Sequence, residues 1–203
     1  MTVSLILASG STARAKMLRD AGVALDIAVP RIDEDEVKAS YRGEGVGVED
    51  TAIALGEMKA LAVSRKVMQG EPGRYVLGAD QMLECGGIWF DKPVDLAAAR
   101  AQLMALRGRQ HHLVSAAVLV KDGVRIWHHV DRAELTMRDY TDAYLDSYLG
   151  AIGADVLGSV GAYHLEGLGA QLFTRVRGDF FTVLGLPLLP VLAILRTHGM
   201  LPT

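Results

Sequence analysis

A glycine with one serine on each side, followed by a cationic residue, forms a combination suited to holding phosphate. Ser9, Gly10 and Ser11 come after a short apolar segment, and Arg14 follows one helical turn later. Unpaired N–H groups and the positive dipole end at a helix N-terminus attract anions, and a guanidinium matches phosphate oxygens. The alternative is an ordinary N-cap, in which a serine hydroxyl satisfies the helix donors and Arg14 is solvated. The stretch is not a Walker loop, because no Gly-Lys-Ser/Thr follows.

An aspartate, Asp80, follows the apolar segment Tyr75–Ala79. A carboxylate in such a place loses its hydration and needs a cation, a metal or hydrogen-bond donors. A divalent ion would also polarise a phosphoryl oxygen or acidify an attacking water. The alternative is a structural aspartate bonded to backbone amides. The acidic run Asp33–Glu36 offers further oxygen ligands, but such a run is usually a solvated face, and only the residues nearest the preceding strand are of interest.

Four other side chains suit a nucleotide site. Lys59 and Lys92 are point cations for a triphosphate, although most lysines only extend along the surface. Glu166 lies in a glycine-rich loop, a weak signal alone, and an ionised carboxylate only accepts hydrogen bonds. It would therefore suit guanine, whose N1–H and N2–H₂ are donors. Gln81, beside Asp80, can both donate and accept.

Composition places the chain among globular proteins. Half of its 203 residues are hydrophobic and 22% are charged, which suits a substantial core. The formal net charge of -3 argues against a nucleic-acid partner. The single cysteine fits a reducing compartment, and the N-terminal stretch lacks the pattern of a signal peptide. With no apolar run of about 18 residues, the sequence predicts a cytoplasmic protein without a membrane partner.

Alternating hydrophobic patterns predict an α/β fold with a mixed sheet, since both crossovers and hairpins are indicated. A loop is predicted at Arg31–Glu36, where acidic residues interrupt the apolar pattern. The predicted strands are Val3–Ala8, Ala24–Pro30, Tyr75–Ala79 with an extended continuation, Ile88–Phe90, His112–Lys121 and Val124–Val130. The predicted helices are one that follows Ser11, one that begins at Thr141 and runs through Leu149, and three that cover Val48–Met68, Leu96–Leu106 and Pro187–Arg196. Asp122-Gly123 gives the strongest hairpin signal.

Taken together, these segments resemble the Maf family of nucleotide pyrophosphatases, also called septum-formation-like proteins. The matching segments are LILASGSTARAKML near the start, IDE at Ile32–Glu34, EMKA at Glu57–Ala60, LGADQ at Leu77–Gln81, DKP at Asp91–Pro93, LRGRQH at Leu106–His111, GAYHLEGLGA at Gly161–Ala170 and GDFFTVLGLPL at Gly178–Leu188. Order and spacing both agree over nearly the whole chain.

The resemblance implies hydrolysis of the α–β phosphoanhydride of a nucleoside triphosphate to monophosphate and pyrophosphate, with Mg²⁺ or Mn²⁺. It implies one domain over residues 1–203, with a twisted mixed sheet flanked by helices and a cleft between two lobes, as in the Maf and inosine-triphosphatase group, and a homodimer. Carried over by position, Asp80 resembles the family's proton acceptor, and Ser9, Ser11 and Arg14 resemble its phosphate-facing turn. Glu34, Lys59 and Lys92 resemble its charged cleft residues, and Asp80 and Glu34 resemble its metal ligands.

Departures from the family pattern bear on the base. The first turn of the family reads Ser-Pro-Arg-Arg, or Ser-Pro-Trp-Arg in the 7-methyl-GTP branch, whereas Ala13 stands here at the specificity position. The pyrimidine branch carries Thr after the catalytic Asp and Gln in the glycine-rich loop. Gln81 and Glu166 instead resemble the 7-methyl-GTP branch, so the sequence predicts a guanine-type base, without a Trp to stack on a cationic ring.

Two alternatives remain open at this point. One is a pyrophosphatase of the pyrimidine type, acting on dTTP or UTP. The other is a nucleotide-binding regulator of cell division without useful catalysis, suggested by the altered Thr12-Ala13 turn.

Overall fold

The computed structural model describes residues 5–202, and these form seven strands and seven α-helices. The strands are β1 (Leu5–Ala8), β2 (Leu25–Ile27), β3 (Tyr75–Cys85), β4 (Ile88–Phe90), β5 (Gln110–Lys121), β6 (Val124–Met137) and β7 (Phe173–Arg177). The helices are α1 (Thr12–Asp20), α2 (Glu34–Gly43), α3 (Val48–Val67), α4 (Leu96–Leu106), α5 (Asp142–Ile152), α6 (Phe180–Val183) and α7 (Leu188–Thr197). The first two residues of the predicted strand Val3–Ala8 lie outside the described residues.

One sheet contains all of these strands and confirms the predicted mixed α/β class. The order is β2-β1-β3-β5-β6-β7, and β4 pairs with β3. β1 is parallel to both β2 and β3, whereas β4 and β7 are antiparallel to their neighbours. β5 and β6 are adjacent and joined by Asp122-Gly123, both with positive φ, as the hairpin signal predicted.

The loop predicted at Arg31–Glu36 is wrong, because a helix begins inside it. The Asp33 carboxylate accepts the backbone N–H of Glu36 at 3.0 Å and caps α2. The acidic first turn that interrupted the apolar pattern is favourable at the positive end of the helix dipole. None of the residues of α2 is buried, so there was no hydrophobic periodicity from which to predict it.

β6 is longer than predicted, because polar residues in its middle interrupt the apolar pattern, as they do at α2. Its second half alternates, with Ala133, Leu135 and Met137 buried and the residues between them partly exposed. This period of two is that of a strand with one face on a core, and β7 pairs with Glu134–Met137 there. The prediction stopped at Val130, where the polar residues Asp131 and Arg132 begin.

The described residues fall into two compact units. The first comprises the described residues of Met1–Gln81, Ser115–Asp131 and Gly185–Thr203, and the second comprises Met82–Val114 and Arg132–Leu184. Each has its own apolar cluster, with β1, β3 and α3 residues in the first unit and residues from α4, α5 and β6 in the second. Among residues 5–202, no helix is both long and apolar enough to cross a bilayer.

Candidate active site

The topology of the first unit places the carboxyl end of β1 beside the middle of β3. β1 pairs in parallel with β2 on one side and β3 on the other, so the chain reverses its direction of travel across the sheet at β1. In open α/β sheets, ligands bind beyond the carboxyl ends of strands at such a switch point. Ala8 pairs with Gly78, so the serine turn after β1 lies beside the segment of β3 that leads to Asp80.

The serine turn is held by its own hydroxyls. Ser9 Oγ accepts the backbone N–H of Ser11 at 3.2 Å, and Ser11 Oγ accepts that of Arg14 at 3.3 Å. Ser11 is therefore the N-cap of α1, as the simpler interpretation of the sequence held. A rigid turn at a helix N-terminus is compatible with a bound phosphate, and that role stays a prediction.

Arg14 uses its guanidinium to join three segments of the chain. Its Nε donates to the carbonyl of Gly185 at 2.7 Å, and its Nη1 donates to the carbonyl of Ala79 at 3.1 Å. Burial lowers the pKa of Arg14, and the charges of Asp80 and Glu34 partly offset that effect. In this structure Arg14 fixes the backbone immediately before Asp80, rather than presenting its whole fork to a ligand.

An ion-pair triad is centred on Lys59 and on Asp80 in the middle of β3. Lys59 Nζ lies 2.6 Å from Asp80 Oδ1 and 2.9 Å from Glu34 Oε1. The side chains of Lys59 and Asp80 are only 8% and 6% exposed, whereas Glu34 is 39% exposed. Two carboxylates around one ammonium leave a net negative charge. The lysine compensates the buried carboxylate of Asp80, whose desolvation would otherwise cost several kcal/mol, on the order of the Born penalty after relaxation.

One oxygen of this triad has no protein partner. Asp80 Oδ2 is buried and accepts no hydrogen bond from any group in residues 5–202. Buried polar atoms are nearly always satisfied in folded proteins, so an acceptor without a partner in the middle of a strand calls for a ligand, a water or an ion.

The same triad fits a divalent cation. Within residues 5–202 no group of three or more His, Cys, Asp or Glu side chains is arranged to hold a metal by itself. Mg²⁺, however, is usually bound by one or two carboxylates together with substrate phosphates and waters. Asp80 Oδ2 and the half-exposed carboxylate of Glu34 are such a pair, and they are the residues that would hold the ion.

Close packing of α3 on β3 brings Lys59 to Asp80. A Cβ added at Gly78 would lie 2.0 Å from the Gly56 carbonyl oxygen and 2.9 Å from Ala60 Cβ. The helix backbone thus rests directly on the strand, at a spacing that only glycine permits. Sequence reasoning missed both glycines, because a glycine in a strand or a helix pattern identifies no partner.

This packing leads to the first prediction, for Gly78→Ala. The added methyl group must displace α3, so we expect the free energy of unfolding to fall by about 3 kcal/mol and pyrophosphate release to weaken as Lys59 moves away. Urea denaturation monitored by circular dichroism measures the first effect. Gly70→Ala is the matched control, since nothing lies within 4 Å of its added Cβ. Equal stability of the two variants would contradict this account of the packing.

Gln81 is oriented by a residue that the sequence did not single out. Its Nε2 donates to Ser115 Oγ at 3.1 Å, and Ser115 is fully buried on β5. Its Oε1 lies 3.5 Å from the position of a Cβ at Gly185, where φ is +104°. Because β5 follows β3 in the sheet but lies more than 30 residues away in the chain, no sequence pattern indicated this contact.

Besides Ala13, seven predicted site residues lie in the first unit, and hydrogen bonds or ion pairs connect several of them to one another. They are Ser9, Ser11, Arg14, Glu34, Lys59, Asp80 and Gln81. Ala13 lies in the first turn of α1, beside Arg14. Lys92 and Glu166 are both exposed and belong to the second unit, so their roles at this site stay predictions.

Known proteins resemble this chain over nearly its whole length. The family model described as Maf-like protein matches residues 4–198. The chain belongs to the Maf family. A nucleoside triphosphate pyrophosphatase of Paramagnetospirillum magneticum is 53% identical over 96% of this chain and 98% of its own. A 7-methyl-GTP pyrophosphatase of Mesorhizobium japonicum is 47% identical over 98% of both chains.

The solved structure that covers this chain is much less similar to it than these relatives are. A solved nucleoside-triphosphatase (dITP/XTP pyrophosphatase) of Mycobacterium abscessus covers 98% of both chains at 15% identity, with a TM-score of 0.39. That likeness is too low to support a statement about this Maf protein. The two curated relatives carry different substrate names at similar identity, so overall similarity does not choose the base.

Proposed function

We propose that this Maf protein is a nucleoside triphosphate pyrophosphatase in which Asp80 accepts the proton of the attacking water. The observation that carries the proposal is the buried Oδ2 of Asp80 without a partner in residues 5–202, next to an Oδ1 already held by Lys59. A general base needs one acceptor atom available and fixed in position. The lysine occupies one oxygen and leaves the other for water.

The reaction balances as a displacement at the α-phosphorus. The water oxygen bonds to the α-phosphorus, the bond from that phosphorus to the oxygen bridging to the β-phosphorus breaks, and pyrophosphate leaves with the electron pair. The proton lost by water goes to Asp80 Oδ2. Catalysis of phosphoryl transfer consists largely of positioning and charge stabilisation, which the serine turn and the triad supply. In the alternative arrangement, Asp80 Oδ2 and Glu34 would hold Mg²⁺ or Mn²⁺, which would neutralise phosphate oxygens and acidify the water, and the proton of the water would then pass to solvent instead of to Asp80.

For the base, we propose a guanine-type nucleotide such as 7-methyl-GTP. Glu166 presents a half-exposed carboxylate, which can only accept hydrogen bonds, and guanine offers adjacent N–H donors. The names of the relatives leave this choice open, and a pyrimidine substrate is the alternative. Ala13 offers no ring for stacking, so we expect only weak discrimination between GTP and its methylated form. A homodimer, a cytoplasmic location and a role in septum formation remain proposals from the family resemblance.

Hydrolysis in ¹⁸O-water tests the proposal. We expect 7-methyl-GTP, GTP, UTP or dTTP to give equal amounts of monophosphate and pyrophosphate, with the label in the monophosphate. Chelation by EDTA should abolish turnover, and added Mg²⁺ or Mn²⁺ should restore it. Label in the pyrophosphate, or release of orthophosphate with a diphosphate, would contradict attack at the α-phosphorus. Tight nucleotide binding without turnover in the presence of any divalent metal would favour the alternative, a nucleotide-binding regulator of cell division.

A further inference from the structure

The first part of β6, Val124–Asp131, belongs to the first unit and forms an open edge of the sheet. In the sheet order of residues 5–202, β7 follows β6, but its pairing with β6 covers Glu134–Met137. The open edge carries apolar side chains in water, with Val124 62% and Ile126 39% exposed. An edge with apolar side chains and unpaired backbone groups is a template for a further strand.

The hairpin turn determines which backbone groups of the open edge point outward. Asp122 and Gly123, both with positive φ, join β5 to β6 as a two-residue turn. The residues on either side of such a turn exchange both of their backbone hydrogen bonds, and bonding to the neighbouring strand then alternates along the chain. The N–H and C=O groups of Arg125, Trp127 and His129 therefore point away from β5, where another strand can bond to them.

The open edge carries a cation near its start and an anion at its end. These are Arg125 and Asp131. Arg125 Nη1 lies 2.7 Å from Glu57 Oε2 on α3, yet the arginine side chain is 41% exposed. Because a guanidinium has several N–H donors, Arg125 can bond a second carboxylate without releasing Glu57. Opposite charges directly across two antiparallel strands stabilise the pair, and like charges destabilise it.

We propose that the open edge binds the same edge of a second copy of this chain, with the strands antiparallel and the two-fold axis at His128. In this register Arg125 of each copy lies opposite Asp131 of the other, so the charge pair forms twice. An axis one residue earlier would place Arg125 opposite His129, and an axis one residue later would place it opposite Ala133. Both of these registers lose the charge pair.

The other side chains of the open edge also match in this register. Ile126 of each copy lies opposite Val130 of the other, which pairs apolar with apolar. Trp127 and His129 stack within one copy, with their rings 6.1 Å apart and 8° from parallel. Each of these rings meets the other type across the axis, and such cross-strand contacts stabilise sheets. The same patch is used by both copies, so the assembly closes as a dimer.

The length of the accessible edge supports the same axis. A Cβ at Gly178, which follows β7, would lie 2.9 Å from the Cα of Ala133, so the chain covers β6 at that point. A second strand can therefore extend along β6 from Val124 to Arg132, and the middle residue of that stretch is His128. The open edge thus supplies a surface for the homodimer, which the family resemblance implies without locating it.

Sedimentation velocity and amide hydrogen exchange of the whole wild-type chain test the inference without any variant. We expect a dimer at about 100 µM that dissociates on dilution, as suits a small interface. The backbone N–H groups of Trp127 and His129 should exchange at least about tenfold more slowly in the dimer than in the monomer. A protein that stays monomeric at about 100 µM, or a dimer that leaves these two exchange rates unchanged, would overturn the inference and leave the edge to a strand of another protein.

Reversal of the two charges tests the register. Arg125→Glu places two carboxylates opposite each other at both ends of the interface, and Asp131→Arg places two guanidinium groups there. Each variant alone should raise the Kd of the dimer about thirtyfold. An equimolar mixture of the two variants restores opposite charges at both ends, so it should form a heterodimer with a Kd near that of the wild type. Arg65→Glu, at an exposed position of α3, is the control and should leave the Kd unchanged.

The mixture also separates a lost interface from a lost fold, because only folded variants can form the heterodimer. Full dimerisation of either single variant alone would place the interface elsewhere and overturn the inference. Two variants that are folded by circular dichroism, monomeric alone and still monomeric when mixed would overturn the register with its axis at His128.

Discussion

Replacing Asp80 by Asn is expected to lower kcat/KM for pyrophosphate release by about a thousandfold, within the range for removal of a general base. Asn has the same shape, but where the carboxylate offers two acceptor oxygens it offers one, together with an NH₂ donor. An amide cannot take the proton of water, and it is a poor ligand for a divalent ion in place of Oδ2. Pyrophosphate release measured under saturating and limiting nucleotide separates kcat from KM, and we expect the loss chiefly in kcat.

Asp35→Asn is the matched control for Asp80→Asn. Asp35 is an exposed member of the acidic first turn of α2, next to Glu34 but outside the triad. The same loss of one negative charge there should leave turnover near that of the wild type. Circular dichroism and a cooperative melting transition verify that both proteins are folded. Wild-type turnover by a folded Asp80→Asn protein would remove Asp80 from the role proposed for it.

Two local contacts of the candidate site were predictable from residue types, because desolvation and helix capping restrict which groups a buried carboxylate or a helix-preceding serine can meet. A carboxylate in an apolar strand needs a cation, a metal or hydrogen-bond donors, and Asp80 meets the cation Lys59. A serine before a helix had to cap it, and Ser11 does. These are local rules of desolvation and helix termini, and they apply wherever the residue lies in the fold.

What the sequence could not supply is the partner of each group across the chain. The Arg14 guanidinium was expected to face a phosphate, yet it donates to the carbonyls of Ala79 and Gly185, the latter 171 residues away. The Ser115 hydroxyl that orients Gln81 comes from a strand with no motif of its own. Such contacts depend on strand order and register, which one-dimensional patterns leave open.

The helix α2 illustrates a different limit. Its residues are not buried, so it carries no apolar periodicity, and it was predicted as a loop. The helix nevertheless matters, because it carries Glu34 to within 2.9 Å of Lys59. The acidic cluster that suggested a solvated segment forms a helix N-terminus and also supplies the second carboxylate of the triad.

Lys59→Met gives the second large effect, because it leaves the Asp80 carboxylate buried without its cation. Breaking a buried ion pair by removing one partner typically costs about 3 to 5 kcal/mol, and we expect the free energy of unfolding to fall by about 3 kcal/mol, since Glu34 is partly exposed. Turnover should fall by about a hundredfold or more, as Asp80 is no longer held by its Oδ1. Lys66→Met, at an exposed position of the same helix, should change neither the stability nor the turnover.

Adding Asp80→Asn to Lys59→Met removes the uncompensated charge and should restore about half of the lost stability while turnover stays abolished, a coupling that a double-mutant cycle measures. If the double variant were as unstable as the sum of the single ones, Lys59 would stabilise the fold through packing of its stem, and the electrostatic account of the triad would be wrong.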